Sequence, residues 1–357
     1  CRKMKNPFDG FYHVPNSQEL LDIAFRKAMK SSASVSKNAP ILIKAKKKEA
    51  RRIKTAIHQI IDRILQIIKR VPRITELPEF YQELAALVVD VDKLRLTLGK
   101  LNGILPVLSQ IERDHYRQLG KIEFPKEADR IRRSCFGRIS SIVNKQDENL
   151  RYLNRIRGNL RALPSIDYST PCVVFAGAPN VGKSSLVKQI STNKNIEVQE
   201  YPFTTKKLIL GHYKIKKQFE STQIQMMDTP GILDRPMSER NPIELQAILA
   251  LRLIADMIIF VFDPTPASGY NVESQIKLFR EINEKFIKNK DIGMEIIFNK
   301  MDFASKEEIN SLATRLEINE EDYTLTNALT GKNINKVKLL LDNIFTSEES
   351  MEFSSYE

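Results

Sequence analysis

Apolar residues in the first 165 positions recur at intervals of three and four, the spacing that gathers them on one face of an α-helix. The clearest case runs from about Ile43 to Lys69. There Ile53, Ile57, Ile60, Ile61, Ile64, Ile67 and Ile68 share one stripe, and Pro72 follows the end. Ahead of it, Asn16 with Glu19 has the form of a capping box and predicts a helix over 17–31, which the Ser-rich stretch from Ser31 to Pro40 breaks. A third helical stretch begins at Glu79 and carries Leu84, Leu87, Val88, Val91 and Leu94. Gly103 and Pro106 are expected to interrupt it before Val107, Leu108 and Ile111 continue. A fourth is predicted from Lys126 to Ala162, with Ile131, Phe136, Ile139, Ile142, Val143, Leu150, Leu153 and Ile156 apolar and Pro164 as its stop. Long amphipathic helices joined by short breaks pack most simply as an antiparallel bundle.

Past a polar connector at 165–170 the period changes to alternating strands and helices. Val173–Ala176 and Met257–Phe262 read as buried strands, and Ile209–Tyr213 with Ile224–Met227 as a strand pair. Strands at Met294–Phe298 and Tyr323–Thr326 complete the set, with helices from Lys183, over Ile243–Ala255, Ser274–Phe286, Lys306–Arg315 and Ile334–Phe345. That order predicts a doubly wound, mostly parallel α/β sheet behind the helical bundle. The expected division is 1–165 for the bundle and 171–346 for the α/β domain, with 347–357 as an acidic, Ser-rich tail expected to be disordered.

Composition changes this picture in one respect. Residues 1–170 hold 34 Lys and Arg against 18 Asp and Glu, a balance of +16, whereas residues 171–357 balance at −4. The basic character belongs to the helical half, which points to a polyanionic partner: RNA, DNA or an anionic membrane surface. No apolar run approaches the roughly 18 residues of a membrane span, so insertion in a bilayer is not expected. Three cysteines, Cys1, Cys135 and Cys172, lack metal-ligand spacing and suit reduced thiols in a cytosolic compartment.

The chemistry lies in the α/β half. Gly177-Ala178-Pro179-Asn180-Val181-Gly182-Lys183-Ser184, followed by Ser185, sits between a strand and a helix, the context a phosphate-binding loop requires. Gly177 and Gly182 let backbone amides curl around phosphates, Lys183 places a point charge on the β- and γ-phosphates, and Ser184 offers its hydroxyl to Mg²⁺. Asp228-Thr229-Pro230-Gly231 ends a strand, so that Asp228 can reach Mg²⁺ through water and the Gly231 amide can face the γ-phosphate. Tyr201-Pro202-Phe203-Thr204-Thr205 lies between these motifs, and Thr205, or alternatively Thr204, is the expected Mg²⁺-sensing threonine. Asn299-Lys300-Met301-Asp302 selects the base. The Asp302 carboxylate accepts from the ring N–H and exocyclic amine that guanine presents, Asn299 bonds the opposite edge, and the Lys300 stem lies over the ring. Thr326-Asn327-Ala328 follows the last strand and would bring the Ala328 amide to the guanine carbonyl.

GTP and GDP with Mg²⁺ are thus the expected ligands, and Lys183, Thr205, Gly231 and Asn180 the expected catalytic residues. Ile232 stands where many small GTPases carry a water-orienting glutamine. Its side chain makes no hydrogen bond, so slow intrinsic hydrolysis is expected, stimulated by a partner or by K⁺. Asn180 either helps to hold that K⁺ or simply suits a tight turn.

Taken together, Gly177–Ser185, Tyr201–Lys206, Asp228–Pro236 and Asn299–Asp302 resemble the motifs of the Obg-related GTPases. Within them the chain resembles the Nog branch, the nucleolar GTP-binding proteins and their archaeal counterparts. Leu233-Asp234-Arg235-Pro236, Glu239-Arg240-Asn241 and Ile243–Ala247 are the most branch-specific pieces, and Asn6-Pro7-Phe8 matches the branch's start. Without the long C-terminal extension of the nucleolar members, the archaeal-type form and a cytoplasmic location are expected. The resemblance implies a Ras-like fold for the GTPase domain. It also implies a GTP-controlled assembly factor of the large ribosomal subunit, a monomer whose partners are ribosomal RNA or the subunit precursor, and ribosomal proteins. Lys44, Lys46, Lys47, Lys48, Arg51 and Arg52, with Arg130, Arg132, Arg133 and Arg138, are the candidate RNA contacts. A structural RNA-binding scaffold that merely holds nucleotide, and a GTPase bound to a membrane surface, are the rival readings.

Overall fold

The structure is a computed structural model describing residues 6–36, 38–168, 170–193, 196–201, 207–216, 221–229, 233–234, 240–265, 269–287 and 292–346. Thr204, Thr205, Gly231, Ile232 and the expected tail 347–357 lie outside the described residues. The chain divides into two compact units: residues 7–77 with 88–161, and residues 78–87 grouped with 162 onward and the N-terminal residues through Asn6.

The first unit is helical. Helix α1 (Ser17–Lys30) starts at the expected capping box: the Asn16 side chain accepts from the Glu19 amide at 2.9 Å, and the Glu19 carboxylate accepts from the Asn16 N–H at 3.0 Å. Helix α2 (Ile41–Arg70) buries Ile53, Ile57, Ile60, Ile64 and Ile67, the stripe its spacing predicts. It runs antiparallel to α4 (Val91–Lys121), since Lys46 donates to the Gly120 carbonyl (2.8 Å) and the Tyr116 hydroxyl to that of Ala50 (3.1 Å). Helices α5 (Pro125–Asn144) and α6 (Asp147–Arg161) complete the unit.

Two breaks differ from expectation. The third stretch parts at Val89–Asp90 rather than at Gly103 and Pro106, because Asp90 caps α4 by accepting from the Lys93 amide at 2.9 Å. Pro106 lies inside α4, where Leu101, Ile104, Leu108 and Ile111 are all buried. Burial of four such side chains, at about 1.5–3 kcal/mol each, outweighs the roughly 3 kcal/mol cost of one internal proline. The fourth stretch divides at Lys145–Gln146. The Gln146 amide donates to the Val143 carbonyl (2.9 Å), and Asp147 opens α6 with its carboxylate accepting from the Ser17 N–H (2.9 Å).

Helix α3 (Glu79–Val88) has its residues through Leu87 in the second unit. Tyr81 fastens it there: its hydroxyl donates to the Pro164 carbonyl (2.8 Å) and accepts from the Ile166 amide (3.1 Å). The remainder is a seven-stranded sheet in the order β2-β3-β4-β1-β5-β6-β7. Strands β1 (Cys172–Ala176), β4 (Ser221–Asp228), β5 (Met257–Phe262), β6 (Gly293–Phe298) and β7 (Tyr323–Leu325) are parallel. Strand β3 (Lys207–Lys216) pairs antiparallel with both β4 and β2 (Glu197–Glu200), making a mixed, mostly parallel sheet. Helices α7 (Lys183–Ile190), α8 (Pro242–Ala250), α9 (Val272–Ile282), α10 (Lys306–Leu316) and α11 (Ile334–Thr346) alternate with the strands.

Strand β1 lies between β4 and β5, so the chain winds to one side of it and then to the other. Ligand crevices of α/β sheets form at the carboxyl ends of strands where the winding reverses. Gly177, Thr229, Asp263 and Asn299 directly follow the ends of β1, β4, β5 and β6. Among the described residues no helix is long and apolar enough to cross a membrane, and Cys135 and Cys172 are free and buried.

Candidate nucleotide-binding site

The loop between β1 and α7 depends on two glycines. Gly177 has φ +137° and Gly182 φ +104°. A Cβ on Gly182 would stand 2.1 Å from the Asn299 Nδ2, and one on Gly177 2.3 Å from the Val261 carbonyl oxygen. Only glycine fits both the backbone conformation and the close approach. Asn180 also has positive φ, at 62°, and is exposed. The loop curls around the Lys183 ammonium, which donates to the Gly177 and Ala178 carbonyls at 2.7 and 2.9 Å. Lys183 is buried, and burial lowers its pKa from the ordinary 10.5.

Ser184, in the first turn of α7, donates its hydroxyl to the Asp228 carboxylate at the end of β4. Asp228 is fully buried, and burial raises its pKa above the usual carboxylate range. Its second oxygen, Oδ1, has no hydrogen-bond partner among the described residues. A hydroxyl and an orphaned carboxylate oxygen beside a phosphate loop are the hard oxygen donors that Mg²⁺ takes, so Ser184 and Asp228 fit that ion.

At the base end, Asn299 is a buried node. Its Nδ2 donates to the Val181 carbonyl of the phosphate loop (2.8 Å), and its Oδ1 accepts from the Ala328 amide (2.9 Å) and the Thr326 hydroxyl (3.1 Å). Lys300, with φ +61°, reaches Asp263 at 2.7 Å. The Asp302 carboxylate accepts from Lys332 (3.0 Å) and Asn327 (2.6 Å), contacts that lower its pKa. A cleft of about 370 Å³ is lined by Asn180, Gly182, Ser185, Asn299, Lys300, Phe303, Asn327, Ala328 and Leu329. It brings Asn299, Lys300, Asn327 and Ala328 together with Asn180, Gly182 and Ser185 of the phosphate loop.

Comparison with known proteins agrees with this geometry. Residues 8–167 match a family model described as the NOG1 N-terminal helical domain, and residues 172–300 one described as a 50S ribosome-binding GTPase. An uncharacterized protein of Methanocaldococcus jannaschii is 33% identical over 85% of this chain and 83% of its own length. Nucleolar GTP-binding protein 1 of Encephalitozoon cuniculi is 33% identical over 96% of this chain and 64% of its own. That of Drosophila melanogaster is 33% identical over 83% and 44%. The chain belongs to the Nog-type branch of the Obg-related GTPases. It spans about two thirds or less of the two nucleolar relatives' length.

The structure sets further residues beside those that the motifs name. Asp263 anchors Lys300, Lys332 supports Asp302, and Phe303 and Leu329 put exposed apolar surface in the cleft, while Thr326, already part of the last motif, supports Asn299. Asp263 carries one legible signal, its place just past a wholly buried strand at the reversal of winding. Asn327 shapes the turn as well as holding Asp302, since its Oδ1 accepts from the Leu329 and Thr330 amides at 2.9 and 3.2 Å.

The described part of the branch-specific extension is tied to the phosphate loop. The Gly177 amide donates to the Leu233 carbonyl at 3.1 Å. Asp234 pairs with Arg240 at 3.4 Å, and Arg240 with Glu244 at 2.5 Å. Asn241 caps α8 by accepting from the Glu244 amide (2.8 Å). The Tyr201 hydroxyl donates to the Ala247 carbonyl in the same helix, from just ahead of the Thr204–Thr205 segment.

Proposed function

We propose that this chain binds GTP with Mg²⁺, hydrolyses it slowly, and uses the nucleotide state to control its stay on the precursor of the large ribosomal subunit. It does so as a cytoplasmic monomer that contacts ribosomal RNA, and ribosomal proteins around it, through the helical unit. The observation that carries the reading is the joining in one chain of a phosphate loop, with the Asn299–Asp302 motif beside it, to a unit with exposed basic residues. Lys47, Lys48 and Arg51 on α2 and Arg130 and Arg138 on α5 are exposed. When bound, Mg²⁺ neutralises phosphate charge, with Ser184 and Asp228 as its described holders and Thr205 or Thr204 as the expected third. The backbone of the phosphate loop and Lys183 position the phosphates, and Asp302 orients the base. Turnover is raised by a partner or by K⁺ beside Asn180; equal rates in matched K⁺ and Na⁺ salts would remove the second cause.

The test is the affinity for large-subunit RNA or precursor particles with GDP and with a nonhydrolysable GTP analogue, over a range of salt. The expected result is a nucleotide-dependent affinity that falls steeply with salt, as phosphate contacts require. Equal affinities in the two states would reduce the protein to an RNA-binding scaffold.

A further inference from the structure

We propose that Asp263 is a positioning residue for the base: its carboxylate holds the Lys300 ammonium, so that the lysine stem becomes a fixed wall for the face of the guanine ring. The inference rests on the guanine-binding reading above and adds to it the group on which the lysine depends. Lys300 is pinned at both ends. Around its backbone, the Asn299 amide donates to the Phe262 carbonyl and the Phe303 amide to the Lys300 carbonyl, each at 2.9 Å. At the far end, the ammonium donates to Asp263 Oδ2 at 2.7 Å. Asp263 directly follows β5, and Lys300 lies just past β6, the neighbouring strand. The stem therefore runs across the carboxyl edge of the sheet from one strand to the next, and Lys300 lines the same cleft as Asn299, Phe303 and Ala328.

Asp263 is itself held firmly. It is fully buried, and its Oδ1 accepts from the Thr265 amide and hydroxyl at 2.9 and 2.7 Å. Gln275 of α9, equally buried, clamps its backbone: the Asp263 N–H donates to Gln275 Oε1 and the Asp263 carbonyl accepts from Gln275 Nε2, both at 2.9 Å. Two observations argue against an ion pair that serves stability alone. The Lys300 backbone, at φ +61°, takes a left-handed conformation that is uncommon for residues with a side chain and clusters at ligand sites. A buried ion pair is also weak support for a fold, since apolar groups of like volume serve as well. What this pair supplies is geometry. A free lysine stem is among the most mobile of side chains, and a nucleotide would otherwise have to order it on binding. Held by Asp263, the stem offers its methylene groups to the ring while its charge is already taken up. Asp302 reads the edge of the base; Asp263, through Lys300, fixes what meets its face.

The experiment titrates nucleotide-free wild type, Asp263→Asn, Lys300→Met and the double variant with GDP and with inosine diphosphate by calorimetry. Asparagine keeps an oxygen for the Thr265 turn but sets N–H donors against the ammonium, and methionine keeps most of the stem without its charge. Asp263→Asn should bind GDP on the order of tenfold more weakly, the lower end of what a hydrogen bond to a charged group contributes. Its preference for GDP over inosine diphosphate should stay within about twofold of wild type, because a contact with the face of a base does not read the exocyclic amine. In the Lys300→Met background Asp263→Asn should cause no further loss, as two residues that act through one contact require. Unchanged GDP affinity in Asp263→Asn would overturn the proposal, as would a collapsed base preference. The same loss repeated in the Lys300→Met background would also overturn it, since a merely structural role persists without the ammonium. If Asp263→Asn does not fold, Lys300→Met alone must weaken GDP, and acetylation of nucleotide-free wild type must modify Lys300 more slowly than the exposed Lys306, read by mass spectrometry. Failure of either result would end the proposal. A wild type that binds ADP as tightly as GDP would end the guanine reading itself, whereas a GDP-selective wild type matched by Asp263→Asn would end only this inference.

Discussion

Replacing Asn299 by alanine tests whether this residue is a structural node as well as a base contact. The side chain makes three buried hydrogen bonds, to the Val181 carbonyl, the Ala328 amide and the Thr326 hydroxyl, at 2.8, 2.9 and 3.1 Å. Removing it leaves the Val181 carbonyl and the Ala328 amide buried without that partner. At about 1–3 kcal/mol for each stranded group, the loss is about 2–6 kcal/mol, a large share of the roughly 5–15 kcal/mol of a typical domain. Urea unfolding of nucleotide-free protein, followed by far-ultraviolet circular dichroism, measures it. With two compact units, more than one transition is expected, and the transition that GDP raises is the one to follow. In Asn299→Ala its midpoint should fall while a second transition stays in place. GDP affinity should fall too, because the amide ties the phosphate loop to the base loop. A loss below about 1 kcal/mol would refute the reasoning, since it would mean that water replaces all three bonds.

Asp302→Asn replaces a two-oxygen acceptor with one acceptor and one donor; GTP affinity should fall on the order of 100-fold and xanthosine triphosphate should gain, read by competition binding. Unaltered GTP affinity would mean that Asp302 does not face the base. In the helical unit, Asp147 bonds Arg151 at 2.5 Å and the Ser17 amide at 2.9 Å, and these contacts, the Arg151 bond first, lower its carboxyl to about 2 from the ordinary 3.8. A depressed carboxylate stabilises the fold above its unfolded pKa and loses that effect as pH falls through the folded value. Stability should therefore drop between about pH 4 and 2 by no more than about 1 kcal/mol for this exposed pair, and Asp147→Asn should remove that part of the slope in acid-unfolding curves.

Elements with a clean period were legible from the chain alone. The isoleucine stripe of α2 is one example, and the wholly apolar β5 is another. What escaped was set by tertiary context. Strand β2, Glu-Val-Gln-Glu, is short and polar with Val198 exposed, and it exists because β3 offers its edge. The break at Asp90 was hidden because an aspartate cap is a weaker sequence signal than Gly103 and Pro106, although the buried face of α4 carries the helix through both. The membership of α3 in the second unit rests on Tyr81 and its bonds to Pro164 and Ile166, more than 80 residues away in the chain. No local pattern encodes such a pairing.

The site divides in the same way. Motif residues are legible because the nucleotide chemistry they would serve dictates their types and spacing, whereas Lys332 behind Asp302 answers only to geometry, and Asp263 behind Lys300 shows only its place past a buried strand. Net charge shows a related limit. The balance of +16 counts every basic side chain alike, yet Arg52 and Arg132 both turn onto the buried Glu49, at 2.9 and 2.8 Å, and Arg133 onto Asp129. Lys46 is bound to the Gly120 carbonyl. Four of the ten basic residues expected to meet RNA are therefore engaged within the protein: Lys46 and Arg132 join α2 to α4 and to α5, Arg52 bonds within α2 and to the Met29 carbonyl of α1, and Arg133 bonds within α5. An anionic partner meets what they leave exposed, so the affinity of this unit for RNA should follow Lys47, Lys48, Arg51, Arg130 and Arg138 rather than the total charge of its sequence.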